Sequence, residues 1–490
     1  MNLKIFDLLS MRFVLKIIFF FAFSVNFITP AVFAVTDDNQ DIDPLLNGQD
    51  FTLDLHGDGH FSARYAKNKE YFAIAKAKNS TYALTKHCLI LEKDKKPSVA
   101  DDRKKLSDGG VIGSYDENFV IDHSLKFCVD AKKTINKDVS YGTSAKIKLS
   151  SDQSKKVSVS HSYIFLDTTY GKFHFGNYEN AADSLKLDAA SIATIDGGIT
   201  NDWYLSAKVE GRHQQARFFS KGDNRNSRKK NVQRNFYVLP HLYSSYYREY
   251  IGGGYNIHST YYSPTYNGLG FGMSYAKQSS VNLPFNANKS EKPSCYTDIV
   301  NVGAIYQGWY SNLKYKVSLI GEKSLSNKQK EDYFDLNGLS IGGIAEYAGF
   351  KFAGSFANVF KSGLAKNPVM DVYLTKSFNE STEMTKEIDP GNSAYYTLGA
   401  SYEIGPAMAS LTYFRSKTES LDKRTKAEHK NILNVASLGT HYHLSGKKYR
   451  FTPYLAFNYF KTEEGDLYTS AHTTEDNSGY VLLSGIKVAY

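Results

Sequence analysis

Gly479 to Tyr490 reads GYVLLSGIKVAY. Side chains alternate across an extended chain, so Tyr480, Leu482, Ile486, Val488 and Tyr490 share one face, where Ser484 is the polar exception. Terminal residues of a domain usually fray. A regular apolar strand in that position is therefore expected to be held on both edges, and a closed sheet does this by pairing its last strand with its first.

The opposite end carries a different signal. Lys4, Arg12 and Lys16 precede the apolar run Ile17 to Val25, Pro30 breaks any helix, and Val32-Phe33-Ala34 has the small-x-small character of a secretory cleavage site. Residues 1–34 are expected to be a signal peptide, with the mature chain starting near Val35; Met11 would serve equally well as the start. The apolar core falls short of the ~20 residues that a membrane-spanning helix needs.

Mean hydropathy is −0.41, which taken alone describes a soluble protein. Yet 37 Tyr and 31 Phe stand against 2 Trp, and this aromatic load suits interfacial girdles on a barrel whose lumen-facing residues dilute the apolar ones. No Pro-rich or Gly/Ser-rich linker divides the 490 residues, so 35–490 reads as one transmembrane β-barrel domain. The 3 Cys show no metal-site spacing, and an odd number in an exported chain leaves a thiol unpaired. Cys88 with Cys128 is one pairing, which would leave Cys295 alone in a loop; buried, inert cysteines are the alternative.

Period-2 stretches bounded by turn signals predict strands near 51–65, 119–131, 139–150, 156–167, 171–178, 251–262, 266–277 and 298–309. Further strands are predicted near 311–321, 336–348, 349–358, 394–404, 405–415, 431–444, 448–461 and 478–490. This gives an all-β fold of about sixteen antiparallel strands, the even number expected of a single-chain barrel. Met370 to Phe378 is a further strand candidate. Connections alternate: 168–170, 263–265, 405–406 and 445–447 are brief, whereas 66–118, 179–250, 278–297, 359–393 and 462–477 are long and polar. Short turns on one rim and long loops on the other are a barrel's signature.

Parity assigns faces. Phe51, Leu53, Leu55, Phe61, Ala63 and Tyr65 look outward, leaving Asp54, His56, Asp58, His60 and Arg64 in a wet interior. In 448–461 the outward set includes Pro453, where a missing N–H predicts a bulge or locally irregular pairing.

Three stretches, YGTSAKIKLS (141–150), FLDTTYGKFHFGNYENAADSL (165–185) and YYSPTYNGLGFGMSYAK (261–277), resemble the Gram-negative trimeric general-diffusion porins, particularly the alphaproteobacterial type. Gly171, Phe175 and Gly176 match the entry to that family's infolded loop; Tyr261 or Tyr262, Ser263, Pro264, Gly268 and Tyr275 match the hairpin after it. The terminal strand ending in Tyr490 resembles the assembly signal of outer-membrane barrels. The resemblance implies an integral outer-membrane protein among lipids, a homotrimer, recognition by barrel assembly machinery through that strand, and passive diffusion of small hydrophilic solutes. It also implies that the third loop, 179–250, folds into the lumen. The chain departs from the pattern in its longer first loop and in the basic stretch Ser220 to Arg234.

That loop begins with Glu179, Asp183, Asp188, Asp196 and Asp202, while Arg64, Lys126, Lys146, Lys148 and Lys172 fall on inward parity. An acidic loop facing a basic wall would set a transverse field across a narrow constriction. The plainer reading of each carboxylate is a solvated loop residue. Formal net charge is +9, and Lys314, Lys316 and Lys351 add inward charge, so a weak anion preference is expected, unless the charge sits mainly on external loops. Scattered positive charge on an exported chain gives no reason to expect a nucleic-acid partner.

Catalytic constellations are thin. The 13 His are dispersed, and His441 with His443 offers two ligands where zinc usually takes three or four. Ser158, Ser160 and Ser162 are read as lumen-facing with His161 on the opposite face, which precludes a Ser–His contact. Gly252-Gly253-Gly254 precedes no helix and reads as a bend. No enzyme activity, cofactor or metal is expected; the alternative is a plugged barrel acting as an adhesin or enzyme.

Overall fold

The computed structural model describes residues 51–69, 76–77, 80–81, 115–150, 157–195, 197–198, 218–220, 240–242, 257–278, 296–326, 334–362, 368–377, 380–423, 426–446, 449–463 and 477–490. The wall consists of β1 (Phe51–Lys69), β2 (Tyr115–Asn136), β3 (Val139–Ser150), β4 (Val157–Thr168), β5 (Gly171–Asn177), β6 (Ile257–Tyr262), β7 (Leu269–Gln278) and β8 (Tyr296–Tyr310). It continues through β9 (Leu313–Ser326), β10 (Asn337–Tyr347), β11 (Phe350–Phe360), β12 (Glu380–Ile404), β13 (Ala407–Asp422), β14 (Glu428–Tyr442), β15 (Arg450–Glu463) and β16 (Asn477–Ala489). Each strand pairs with its sequence neighbours, and β16 returns to β1 in a register running from Asp58↔Ala489 to Lys69↔Ser478. Gly57 and Tyr490 exchange backbone hydrogen bonds of 3.3 and 3.2 Å, completing the ring. Closure leaves no sheet edge to be satisfied by lipid.

The outer face is apolar on strand after strand: Phe271, Leu319, Ile341, Leu398, Leu411, Leu438 and Leu455 are all exposed. A surface of this kind suits hydrocarbon, not water. Aromatic residues gather where the short turns are, with Tyr170, Tyr266, Trp309, Tyr310, Tyr347, Tyr402, Tyr442 and Tyr490 exposed there. This is the amphipathic girdle that an interface favours. One of those turns shows why the sequence needs glycine: Ala348 (φ 50°) and Gly349 (φ 82°) both adopt the left-handed backbone of a two-residue hairpin. Among the described residues no helix is long and apolar enough to cross a membrane.

Three features depart from the period-2 reading. β12 and β13 run well beyond their predicted limits, with Ile388↔Asp422 still paired, because the polar run Ser416-Lys417-Thr418-Glu419-Ser420 shows no period-2 alternation in sequence while the backbone ladder continues. Pro368–Ser377, the extra strand candidate, does form, but it pairs with the distal end of β12 and with Phe218–Ser220, outside the sixteen-strand ring. In β4, Lys146 pairs with His161 and Ile147 with Val159, so Ser160 is an extra residue and the parity flips there. The lumen-facing assignment of Ser162 is thereby corrected: it lies on the outer face, and His161 takes the inner position. Pro453 behaves differently. Its pairing with β16 is unbroken, and the ladder to β14 lapses between His441↔Tyr454 and Leu444↔Phe451 without a shift in register.

The infolded loop and the inner wall

After β5 the chain enters a short helix α1 (Ala181–Leu185), capped by Asn180, whose side-chain oxygen accepts from the Asp183 N–H at 2.9 Å. A 3₁₀ turn, Ala189–Ile192, follows, and Asp188 caps it by accepting from Ser191 N at 3.1 Å. Neither element is long enough to stand alone. The wall holds them. Ala181 N donates to Ser274 Oγ on β7 (2.9 Å), Leu187 N to Ser318 Oγ on β9 (3.2 Å), Ala189 N to Thr397 Oγ1 on β12 (3.1 Å) and Thr194 N to Ser410 Oγ on β13 (2.9 Å). Inward serines and threonines thus satisfy backbone groups that a loop buried against a sheet would otherwise leave orphaned.

Glycines clear the path. A Cβ on Gly303 would lie 2.9 Å from Leu185 Cδ1 and one on Gly399 3.0 Å from Ala189 Cβ, while one on Gly342 would strike Leu187 O and one on Gly439 Thr194 Oγ1. Within the loop, Lys186 Nζ lies 2.9 Å from Asp188 Oδ2 and donates to Pro240 O at 2.6 Å. Burial by itself would lower the Lys186 pKa, but the Asp188 carboxylate outweighs it and holds the ammonium above the usual lysine range.

The predicted constriction residues are distributed as follows. Asp183 is half-buried in the first turn of α1, and Asp188 is 1% exposed, its charge engaged by Lys186. Asp196 and Asp202 lie outside the described residues. On the wall, Lys126 stands directly across from Lys148, and Cys128, without a disulfide partner among the described residues, across from Lys146. Cys88 and Cys295 fall outside the described residues. Lys126 Nζ is 3.8 Å from Asp58 Oδ2, whose other neighbour is Lys487 at 4.0 Å. Arg64 is engaged by Asp122 at 2.5 Å. Lys172 is exposed, across from Asp167. The strands therefore bring Lys126, Lys146 and Lys148 together, and not Arg64 or Lys172 with them.

The His441 and His443 rings lie 4.5 Å apart between centroids with their planes tilted by 49°, and His443 Nδ1 lies 2.9 Å from Thr452 Oγ1. Asp54, His56 and Asp130 bring three ligand-type atoms within 4.8 Å of one another, on exposed or half-buried side chains.

One feature of the inner wall was not anticipated. The flip at Ser160 turns Tyr163 and Phe165 inward with His161, and they meet His174 on β5 and Tyr178 just after it; His174 in turn meets Tyr262 on β6. The run Tyr163-Ile164-Phe165-Leu166 held the clue, since it is apolar on both faces where a water-lined strand should alternate.

With a ring of sixteen strands and a loop tied to its inner face, residues 116–465 also match the family model of Gram-negative porins. The chain belongs to that family. The porin is similar to an uncharacterized protein of Rickettsia prowazekii (strain Madrid E), 23% identical over 496 residues, covering 91% of this chain and 94% of the relative. A protein of Rickettsia conorii (strain Malish 7) is 24% identical over 452 residues, covering 84% of the porin and 90% of the relative. Among solved structures, an anion-selective porin from Comamonas acidovorans aligns with TM-score 0.46 and 13% identity, over 90% of this chain and 100% of that one. Family membership and the closed barrel with its apolar outer face make the porin an integral outer-membrane channel protein.

Proposed function

We propose that the porin is a water-filled pore for passive diffusion of small hydrophilic solutes and ions, weakly anion-selective and without catalytic activity. The observation that carries the reading is the lysine cluster Lys126, Lys146 and Lys148 on one side of the inner wall, with the loop tied to the strands opposite in sequence order. Clustered charge in a narrow aqueous passage with low-dielectric walls focuses the field and raises local counter-ion concentration. Asp183, in the loop, supplies the opposing sign, while Asp188 is neutralised by Lys186.

The assembly in this reading is a homotrimer in outer-membrane lipid, inserted by barrel assembly machinery that reads the strand ending in Tyr490. Purified, folded porin in liposomes should allow swelling in neutral sugars at rates that fall steeply with solute size, and chemical cross-linking should stop at three subunits. Liposomes that stay tight to every sugar and to KCl would overturn the pore itself; a monomer that conducts would overturn only the assembly.

A further inference from the structure

The inner wall carries aromatic side chains in two different states. On β12, β13 and β15, Tyr395, Phe414 and Phe460 are 2%, 1% and 0% exposed, so they are packing residues with no face to offer a solute. On β4 to β6, Tyr163, Phe165, His174, Tyr178 and Tyr262 are only half-buried. They nevertheless form a connected run: Tyr163 to Tyr178 4.4 Å between centroids, Tyr163 to His174 5.1 Å, His174 to Tyr178 5.2 Å and His174 to Tyr262 5.6 Å. His161 extends it, 5.5 Å from Tyr178. Between residues 161 and 165 the strand covers roughly 13 Å, the length of one or two solute rings.

Polar groups border the rings. The Tyr262 hydroxyl donates to Ser184 Oγ of α1 at 2.8 Å, which fixes the end of the run against the infolded loop. Asp167 Oδ1 and His174 Nδ1 are buried polar atoms with no hydrogen-bond partner among the described residues. Apolar ring faces with a few fixed polar edges are the composition of a small-molecule site. In a passage built for water, such a surface retains solutes that have an apolar face and a polar rim.

Resting on the diffusion-pore reading, we propose that the ring-lined wall of β4 to β6 is a solute subsite of the channel, stacking neutral, flat-faced ring solutes as they pass the infolded loop. Two sources share that chemistry, the heteroaromatic ring and the pyranose, and adenosine and maltose represent them.

The test is single-channel recording in planar bilayers in KCl, with adenosine, maltose or the acyclic polyol sorbitol added in turn to the intact porin. Saturable current block is expected from at least one ring probe and none from sorbitol at equal concentration. Block by adenosine alone assigns the subsite to aromatic rings, by maltose alone to pyranoses, and by both to the shared face. Tyr178→Ala should raise the half-blocking concentration about tenfold, the loss expected from removing one stacking platform, and Tyr178→Phe, which keeps the ring, should stay within about twofold of wild type. Heat-modifiable migration on gels confirms that each variant is folded. Equal block by sorbitol, no block by either ring probe, or equal block in Tyr178→Ala and wild type overturns the subsite while the pore stands. Absence of any KCl current instead overturns the pore, and the subsite falls with it.

Discussion

The two sides of the inner wall obey the same alternation and come out chemically opposite. From β7 to β14 the inward positions that meet the loop are small: Ser274, Ser318, Thr397 and Ser410 are almost fully buried, and Gly303, Gly342, Gly399 and Gly439 leave room for its backbone. From β1 to β6 they are long or flat: Lys126, Lys146, Lys148, Tyr163, His174 and Tyr262, all half-buried. The difference shows that parity decides which residues face inward, while side-chain size decides what happens there. Small hydroxyl-bearing residues of β7 to β14 hold the loop; the large charged and aromatic ones of β2 to β6 stay half-open to solute, whereas Tyr395 and Phe414 on the loop-bearing side are packed shut.

The largest effect that could break this division lies inside the loop. Lys186→Met removes one partner of a buried ion pair and leaves Asp188 uncompensated, a loss of about 3–5 kcal/mol, whereas the double change with Asp188→Leu should recover most of it. Urea midpoints of the folded barrel in detergent, and protease resistance of the loop, check this. The pair also sets a pH dependence. Because the Lys186 pKa is raised, its contribution is complete below the ordinary lysine value of about 10.4 and is lost as pH climbs through the raised value. Loop protection from protease should therefore weaken on the alkaline side and be absent from Lys186→Met at any pH.

Gly342→Val comes next. Any Cβ there meets the Leu187 carbonyl oxygen, and forcing volume into packed space costs about 1–3 kcal/mol. The expected result is a displaced loop in an intact barrel, seen as a larger single-channel conductance with unchanged heat-modifiability. Unchanged conductance would mean that the loop does not narrow the passage. Thr397→Ala strips the acceptor from the Ala189 N–H and leaves that donor buried, at a cost of about 1–3 kcal/mol. Faster hydrogen exchange at Ala189, with β12 amides unaffected, is the outcome that sharpens the contrast between the two halves. Asp183→Asn should have the smallest effect, a modest shift of reversal potential towards anions, since the carboxylate is half-buried and hydrogen-bonded by Asn180 Nδ2 at 3.0 Å.

The sixteen strands, their order and the outward apolar face were legible because period-2 hydrophobicity and turn length are local properties of the chain. Tyr490 closing on Gly57 likewise follows from a terminal strand needing a partner. The glycine track was not legible, since Gly342 and Leu187, or Gly439 and Thr194, meet only after the loop folds in. Asp188 read as a candidate field-setting charge because the ion pair with Lys186, two residues away, depends on an irregular backbone between them. The inner aromatic run was hidden by one residue: Ser160 shifts the register, and parity counted straight through it sends Tyr163 and Phe165 to the wrong face.

The open half of the wall is proposed to set the field in the passage, and the reversal potential of single channels in a KCl gradient reads that field most directly. Wild type should favour anions weakly. Lys126→Gln, Lys146→Gln and Lys148→Gln combined should move the potential towards cation selectivity, by more at 0.01 M than at 1 M salt, where the Debye length shrinks from about 30 Å to about 3 Å. A conducting channel whose reversal potential is unchanged by the triple replacement at low salt would contradict the claim.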